Sequence, residues 1–432
     1  MGNQLKCAVF ILMLAGTHSA FGNPQSNRQG QEKTPYTVEE YNAYNASIAS
    51  KDPAQRIKNL DQFQKRYSNS SLLRYADQAY LAAYGELKNY PKVIEYADKT
   101  LSFGDQLDTA QKLQAISART TAFLNSFDEK TAATDPDLTK ARDVAKQGLA
   151  LLEKIPKPAT DTQEQFDQKK KIARVFFQTA VGLASFSLKD DPAAVSAFGA
   201  AYTDNPEDAT TAYRLGIAYL RLNPPNYMDG FWSLSRAATL KGSMQAQARS
   251  YLRNQVERYQ QCSCDSLVDA QVDDIIAEAA KSPDRPENYT IPSADDLQKV
   301  RESSGLILDE LKLGGDRTKL VWRSICGLEF PEVGVKVLDA QMVGDKVELK
   351  VFRAPTEKEM DAATEPNMEV EVVGQPDAQR LKKDDWIRFS GTLTKFQAEP
   401  FLLTWTNAKI NAEDIPQEKA SVMRKPIHKR QK

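Results

Sequence analysis

The chain has 432 residues, a length that corresponds to about three domains. Of these residues 41% are hydrophobic and 27% are charged, proportions typical of a folded protein. Lys and Arg (57) nearly balance Asp and Glu (58), so the net charge of −1 provides no overall field that would attract nucleic acid or an anionic membrane. The two histidines, His18 and His428, lie near the ends, and residues 36–415 contain none. A Ser-His-Asp triad, a Cys-His pair, a histidine-based zinc or iron site and a proximal-His haem are therefore excluded from that body.

Residues 1–22 have the pattern of a secretory signal peptide. Lys6 precedes an apolar run from Cys7 to Ala15, and small residues follow up to Gly22. The run is too short to span a bilayer, which requires about 20 residues, and no later stretch predicts a transmembrane segment. Because Cys7 lies at the start of the run rather than after it, the sequence argues against a lipid anchor. We expect an exported protein, periplasmic or secreted, that is soluble after signal cleavage.

Polar segments flank the part of the chain that we expect to fold. Residues 23–35 lack apolar periodicity, which predicts a disordered leader. Residues 416–432 predict a basic disordered tail, since the chain from Lys419 to Lys432 has six Lys or Arg residues and no acid. A solvated end is the simplest interpretation of this tail, and weak contact with an anionic lipid, polyanion or acidic partner is the alternative.

Residues 36–261 carry the periodicity of α-helices. Thr37 and Glu40 form a capping-box pattern, and Pro53 suits the first turn of the next helix. The apolar stripe of that second helix has three- and four-residue spacing, at Ile57, Leu60, Phe63 and Tyr67. The sequence therefore predicts a helix, a short turn and an antiparallel helix.

This unit recurs, with starts predicted at residues 37, 74, 108, 175 and 209. The offset of 67 fits one unit with an inserted turn at 125–137 and a proline-rich joint at 156–158. Small residues lie where paired helices would touch, and Pro206 closes a unit; the small residues are Gly182, Ala194, Ala201, Gly216 and Ala237. With a period near 34, this pattern resembles the tetratricopeptide repeat family. The fold expected from it is a mainly α superhelical repeat, a helix-turn-helix solenoid, with a capping helix over 244–261.

The resemblance implies a superhelix whose first helices line a concave groove that binds a protein or a peptide. In this register the groove residues are Tyr41, Asn45, Gln78, Thr179, Tyr213 and Arg221. Tyr and Arg are frequent anchors of protein interfaces. Ordinary packing or solvent exposure is the alternative interpretation for each of the six.

Residues 262–330 predict a helical connector that contains Cys262, Cys264 and Cys326. A structural zinc site requires four ligands, so three cysteines without a nearby histidine predict no metal site. In an oxidising compartment, either Cys262 or Cys264 would form a disulfide with Cys326. Three unpaired thiols are the alternative.

Residues 331–415 change to the two-residue alternation of β-strands. Five short strands predict a small all-β barrel, with segments at 333–337, 347–351, 368–372, 386–393 and 401–410. The phrase from Leu381 to Gly391 is similar to a strand entry common in oligonucleotide/oligosaccharide-binding (OB) folds. The barrel has eleven basic and sixteen acidic residues. This balance argues against nucleic acid as a partner, since phosphate binding requires clustered positive charge.

The sequence contains neither a phosphate-binding glycine loop nor a G-x-S-x-G nucleophile elbow. We therefore predict no catalytic residues and no cofactor. The leading hypothesis is an exported, non-enzymatic scaffold or adaptor that binds a protein or peptide through the repeat groove, with the OB-like barrel as an accessory domain. One alternative is an envelope-biogenesis factor, because Phe63 to Tyr90 resembles helical-repeat proteins of outer-membrane assembly. The other is a carboxylate-dependent enzyme acting on polysaccharide, which requires two Asp or Glu side chains facing one cleft.

Overall fold

A computed structural model describes residues 36–128, 130, 135–304 and 307–417. The predicted signal peptide (1–22), the leader (23–35) and residues 418–432 of the predicted tail lie outside the described residues. Within them the predicted fold class is confirmed, because antiparallel helix pairs are followed by a small closed five-stranded barrel.

Five consecutive helix pairs make up the repeat region of the described chain. They are α1 (Val38–Ile48) with α2 (Pro53–Arg66), α3 (Leu73–Glu86) with α4 (Tyr90–Leu101), α5 (Thr109–Ser126) with α6 (Pro136–Leu152), α7 (Gln163–Ser187) with α8 (Asp191–Asp204), and α9 (Ala209–Arg221) with α10 (Tyr227–Thr239). Each helix packs against the next one along the chain. Such nearest-neighbour packing lets each pair bury an apolar face that it could not bury alone.

Two of the interhelical turns use the same local device. Lys88 and Lys189 adopt the left-handed backbone conformation, with φ of 55° and 61°, and so end α3 and α7. The following residues, Asn89 and Asp190, cap the next helices by accepting a hydrogen bond from the backbone N–H three residues later. A proline then lies in the first turn of each helix, where its missing N–H leaves no donor unpaired. The recurring Lys-Asn-Tyr-Pro and Lys-Asp-Asp-Pro sequences therefore encode the same turn.

The first helices begin within one residue of four of the predicted starts, but the fourth pair begins earlier. Helix α7 starts at Gln163, so the predicted start at residue 175 is wrong. Thr162 forms a capping box with Gln165 there, and Phe166 is buried one turn further on. These local signals add three turns to the helix after the proline-rich joint.

Glycines on α7 and α9 allow close approach of paired helices. A Cβ atom added at Gly182 would lie 2.5 Å from a ring carbon of Phe198, and one added at Gly216 would lie 2.7 Å from the Leu234 side chain. Both distances are too short for real contacts, so only glycine fits without movement of the neighbouring helix.

Further helices follow the repeat pairs, namely α11 (Gln245–Gln260), α12 (Asp265–Ala279), α13 (Ala294–Ser303), α14 (Ile307–Lys312) and α15 (Gly315–Ile325). The described residues cluster into two compact units. One contains residues 36–249 and 276–286, and the other contains residues 250–275 and the rest of the described chain from 287. The division falls within α11 and α12.

The barrel contains β1 (Glu329–Val343), β2 (Lys346–Phe352), β3 (Met368–Val372), β4 (Trp386–Gln397) and β5 (Leu402–Ile410). A short helix α16 (Glu357–Asp361) lies between β2 and β3, and a 3-10 helix (Pro376–Arg380) lies between β3 and β4. The strand order is β1-β2-β3-β5-β4, and β4 pairs with β1 to close the sheet. The β3–β5 pair is parallel, and the other pairs are antiparallel.

Alternating side chains of these strands fill the barrel. Val335, Leu349, Val370 and Phe389 are buried on four different strands, as the two-residue periodicity requires. Trp386 is the exception among the strand aromatics, since 53% of it is exposed. The core of the barrel is therefore apolar and is contributed by all five strands.

Candidate protein-binding surface

The structure places all six predicted groove residues on the first helices of their pairs. Tyr41 and Asn45 are on α1, Gln78 is on α3, Thr179 is on α7, and Tyr213 and Arg221 are on α9. Gln78 is buried, with 6% of its surface exposed, whereas the other five are half-buried. Periodicity assigned the six residues to the correct helices. Their side chains, however, have different contacts and different exposure.

Arg221 is held by the preceding pair. Its Nε lies 2.9 Å from Asp191 Oδ1, its Nη2 donates to the Phe186 carbonyl at 3.2 Å, and its guanidinium lies 4.0 Å from the centre of the Phe186 ring. Burial raises the pKa of Asp191, and the charge of Arg221 opposes that rise. These contacts join α9 to the α7–α8 turn.

Two other predicted groove residues use their hydroxyl groups within the fold. The Thr179 hydroxyl donates to the Val175 carbonyl at 2.7 Å, a bond within its own helix. The Tyr213 hydroxyl accepts a hydrogen bond from Gln247 Nε2 at 3.0 Å. Of the six residues, Tyr41 belongs to a group of packed tyrosines near the start of the repeat region.

Tyrosines are concentrated in the first two helix pairs: nine of the sixteen in the chain lie between residues 36 and 96. Four of them form a cluster with Arg74 that we call the tyrosine patch; its members are Tyr36, Tyr41, Tyr44, Arg74 and Tyr75. The rings of Tyr36 and Tyr41 stack with centroids 6.0 Å apart, and Tyr44 lies 6.4 Å from Tyr75. Arg74 covers the Tyr75 ring at 4.7 Å, and its Nη2 lies 2.8 Å from the Tyr75 hydroxyl.

The tyrosine patch has one buried ring beneath three rings that are partly exposed to solvent. Tyr44 is buried against Phe63, with ring centroids 5.8 Å apart, whereas Tyr36, Tyr41 and Tyr75 are half-buried. Burial, followed by the neighbouring phenols, raises the pKa of Tyr36 and of Tyr44, so both stay neutral at physiological pH. Neutral aromatic surface beside one arginine is the composition typical of interface hot spots.

A second aromatic group, the tyrosine stack, lies between α3 and α4. Tyr80, Tyr84 and Tyr96 are stacked, with the Tyr80 and Tyr96 centroids 4.5 Å apart. The Tyr80 hydroxyl donates to Asp61 Oδ1 at 2.7 Å. Nearby, burial raises the pKa of Asp77 to about 6; the charge of Lys99 opposes the rise, and Glu95 adds to it.

Sequence reasoning missed Tyr36, Arg74 and Tyr75 as members of one surface. The signal that could have found them is composition, because more than half of the tyrosines occupy a small fraction of the chain. The helix assignment alone was insufficient, since Tyr75 and Gln78 are neighbours on α3 and only one of them is buried.

A cavity of about 640 Å³ lies among α4 and α6 and contains two carboxylates, Asp98 and Asp143. Asp98 Oδ1 lies 2.8 Å from Nε of the fully buried Arg119, and Asp98 Oδ2 lies 2.7 Å from Lys140 Nζ. Arg119 also contacts Asp137. Both oxygens of Asp98 are therefore engaged in a structural ion-pair cluster.

The structure joins Cys264 to Cys326 in a disulfide, with the Cα atoms 5.7 Å apart. Cys262 has a buried free thiol. Close to it, burial lowers the pKa of Arg323. Among the described residues, no group of three His, Cys, Asp or Glu side chains is arranged to hold a metal ion.

The fold and this surface define a class: a helical-repeat protein that carries a small OB-like barrel. No protein-family model matches the sequence, and no curated protein matches it significantly. Within the residues that the structure describes, no helix has the length and apolar character needed to cross a membrane.

Proposed function

We propose that this protein is an exported, non-enzymatic scaffold or adaptor of the tetratricopeptide-like class that binds a protein or peptide through the first helices of its early repeats. Export is inferred from the signal pattern of residues 1–22. The repeat architecture supports the proposal, because stacked helix pairs present a broad surface built from successive first helices.

The tyrosine patch is the single observation that carries the proposal. Tyr41 and Tyr75 come from the first helices of two adjacent pairs, and Arg74 lies over one of the rings. Their phenol and guanidinium groups offer apolar area together with hydrogen-bond donors at a low entropic cost, since the rings are already held by their neighbours. Peptides rich in apolar and acidic side chains fit this chemistry best.

The test is affinity capture with the signal-free protein, followed by mass spectrometric identification of the bound proteins. The double variant Tyr41→Ala, Tyr75→Ala removes two anchors, and each truncation is expected to weaken binding by about 2 kcal/mol or more. Tyr90→Ala is the matched control, because it removes a half-buried tyrosine from α4, a second helix. A specific protein retained by the wild type and the control but lost from the double variant supports the proposal. The same proteins on all three baits, or none on any, would contradict it.

The polysaccharide enzyme is the second candidate, and one observation favours it: Asp98 and Asp143 line the same cavity. Glycoside hydrolysis uses two carboxylates flanking one cleft. The engagement of both Asp98 oxygens argues for a structural role instead. Release of reducing sugar from envelope polysaccharide, abolished in Asp143→Asn, would favour the enzyme over the scaffold.

A further inference from the structure

An open cavity of about 360 Å³, which the scaffold function does not use, lies beside the barrel strands. Its lining is mostly apolar and comes from β1, β3, β4 and β5, from the segment that follows β2 and from α14; representative residues are Phe330, Val333, Met368, Leu393, Leu403 and Trp405. Small-molecule sites have volumes of roughly 300–1,000 Å³, an apolar lining and a few fixed polar groups. The cavity meets the first two conditions, and its polar groups decide what it would bind.

Arg353 supplies the positive charge of the cavity, and it is held in place at the end of β2. Its backbone N–H donates to Asn367 Oδ1 at 3.0 Å, and Asn367 Nδ2 donates back to the Arg353 carbonyl at 2.7 Å. Asn367 is itself buried, so this reciprocal pair is shielded from water. The guanidinium donates one hydrogen bond to the Gly334 carbonyl. An arginine anchored at both its backbone and its head is preorganised to meet an anion.

Among the described residues, no Asp or Glu carboxylate oxygen forms an ion pair, within 4.0 Å, with a guanidinium nitrogen of Arg353. Glu332 also lines the cavity, but Arg388 Nη1 lies 3.6 Å from its carboxylate. Arg388 is further paired with Asp414 at 3.2 Å and with Glu413. Glu332 therefore belongs to the ion-pair cluster around Arg388. The guanidinium of Arg353 retains N–H donors that can bind a ligand.

Trp405 forms part of the apolar wall of the cavity. Only 3% of the residue is exposed, and its ring packs edge-on against Phe330 and Phe389 at 5.2 and 5.4 Å. Its Nε1–H is buried and has no hydrogen-bond partner among the described residues. Because this nitrogen has almost no accessible surface, Trp405 contributes apolar ring surface to the cavity rather than a hydrogen-bond donor.

We propose that this cavity binds a small molecule with an apolar body and a single anionic group, a carboxylate or sulfonate that pairs with Arg353. The apolar lining accommodates the body, and the anion takes the free donors of the guanidinium in a charge-assisted hydrogen bond. Straight-chain and aromatic acids share the required chemistry, and the experiment separates them.

The test uses two fluorescent probes of nearly the same shape on the full signal-free protein: 1-anilinonaphthalene-8-sulfonate, which carries the anion, and N-phenyl-1-naphthylamine, which lacks it. Arg353→Gln removes the charge within the cavity. Lys350→Gln is the matched control, because Lys350 is exposed on β2, three residues before Arg353, and its loss changes the net charge equally. Ala354→Phe is the second variant. Ala354 lines the cavity, so the larger side chain fills part of its volume while the charge of Arg353 is unchanged.

We expect the wild type and Lys350→Gln to bind the sulfonate probe equally. Arg353→Gln should bind it about tenfold more weakly, the loss typical of one hydrogen bond to a charged group. Its affinity for the uncharged probe should be unchanged, and Ala354→Phe should weaken both probes. Displacement of the sulfonate probe by decanoate identifies a straight-chain acid, and displacement by 1-naphthoate identifies an aromatic one. Equal sulfonate binding by the wild type and Arg353→Gln, no binding by the wild type, or displacement by neither acid would overturn the proposal.

Discussion

The guanidinium of Arg119 on α5 is fully buried, and its Nε lies 2.8 Å from a carboxylate oxygen of Asp98 on α4. The same guanidinium contacts Asp137 on α6, so one cation joins three consecutive helices. Its Nη1 is buried without a partner among the described residues. The surrounding carboxylates therefore carry most of the compensation for burying this charge.

Removing Arg119 should strongly destabilise the repeat region. Arg119→Ala removes the fully buried member of the cluster, and loss of one member of a buried pair typically costs about 3–5 kcal/mol. Asp98 keeps its ion pair with Lys140 and Asp137 is partly exposed, so we expect a loss at the lower end of that range. Urea unfolding followed by circular dichroism measures the change. The control is Lys319→Ala, whose ion pair with Asp316 is solvent-exposed and should contribute little. Equal stability losses in the two variants would show that the Arg119 cluster is not a buried pair in solution.

The close contact at Gly182 predicts opposite effects for two Gly→Ala changes. Gly182→Ala places a methyl group against the Phe198 ring, and such overpacking typically costs about 1–3 kcal/mol. Gly199→Ala on α8 meets no atom within 4 Å and should stabilise its helix by roughly 0.5–1 kcal/mol. Thermal unfolding of both variants tests the pair, and a stabilised Gly182→Ala would contradict the helix contact.

Asp77 predicts a pH-dependent stability. Its pKa rises from 3.8 to about 6 on folding because burial disfavours the carboxylate. The folded state therefore binds the proton more tightly, so stability falls as the pH rises from about 4 to 6 and stays lower above that window. Asp77→Asn should flatten this dependence and raise stability at pH 7.5 by about 1–2 kcal/mol, allowing for solvent screening of a half-buried group.

Unfolding by urea at pH 4, 5, 6 and 7.5 gives the measurement for Asp77. Asp105→Asn is the control, because its side chain is fully exposed. A profile for Asp77→Asn that parallels the wild type across this range would assign the pH dependence to other groups.

The disulfide predicts the thiol count of the mature protein. Denatured without reductant, the protein should react at one thiol, and Cys262→Ser should react at none. Because the bridged cysteines lie 62 positions apart in the sequence, reduction should lower stability by about 2–4 kcal/mol. Three reactive thiols, or a peptide map that links Cys262 to Cys326, would contradict the observed pairing.

Local features of the repeats were predictable because they depend on residues only a few positions apart. The Thr37 and Glu40 capping box is present, and the periodicity of α2 buries Leu60 and Phe63. The strands of the barrel follow the same rule, since alternation alone assigns each side chain to a face.

Contacts between helices were not predictable in the same way. Gln78 is buried and Arg221 is bound to Asp191. Both environments depend on how neighbouring helix pairs cross, and the residues that determine this crossing are spread over more than one repeat. The tyrosine patch is another case, since Tyr36 and Tyr75 lie far apart in sequence. The cavity at Arg353 likewise depends on residues from four strands and from α14, and could not be found by a local pattern.

The closed strand order has a consequence for how the barrel can recognise a peptide. Since β4 pairs with β1, the described strands leave no free sheet edge along which an extended peptide could add a further strand. Recognition of a peptide by strand addition, which is tolerant of sequence, is therefore not open to the described strands. A ligand of the barrel would instead meet side chains and loops, which select it by its shape and charge.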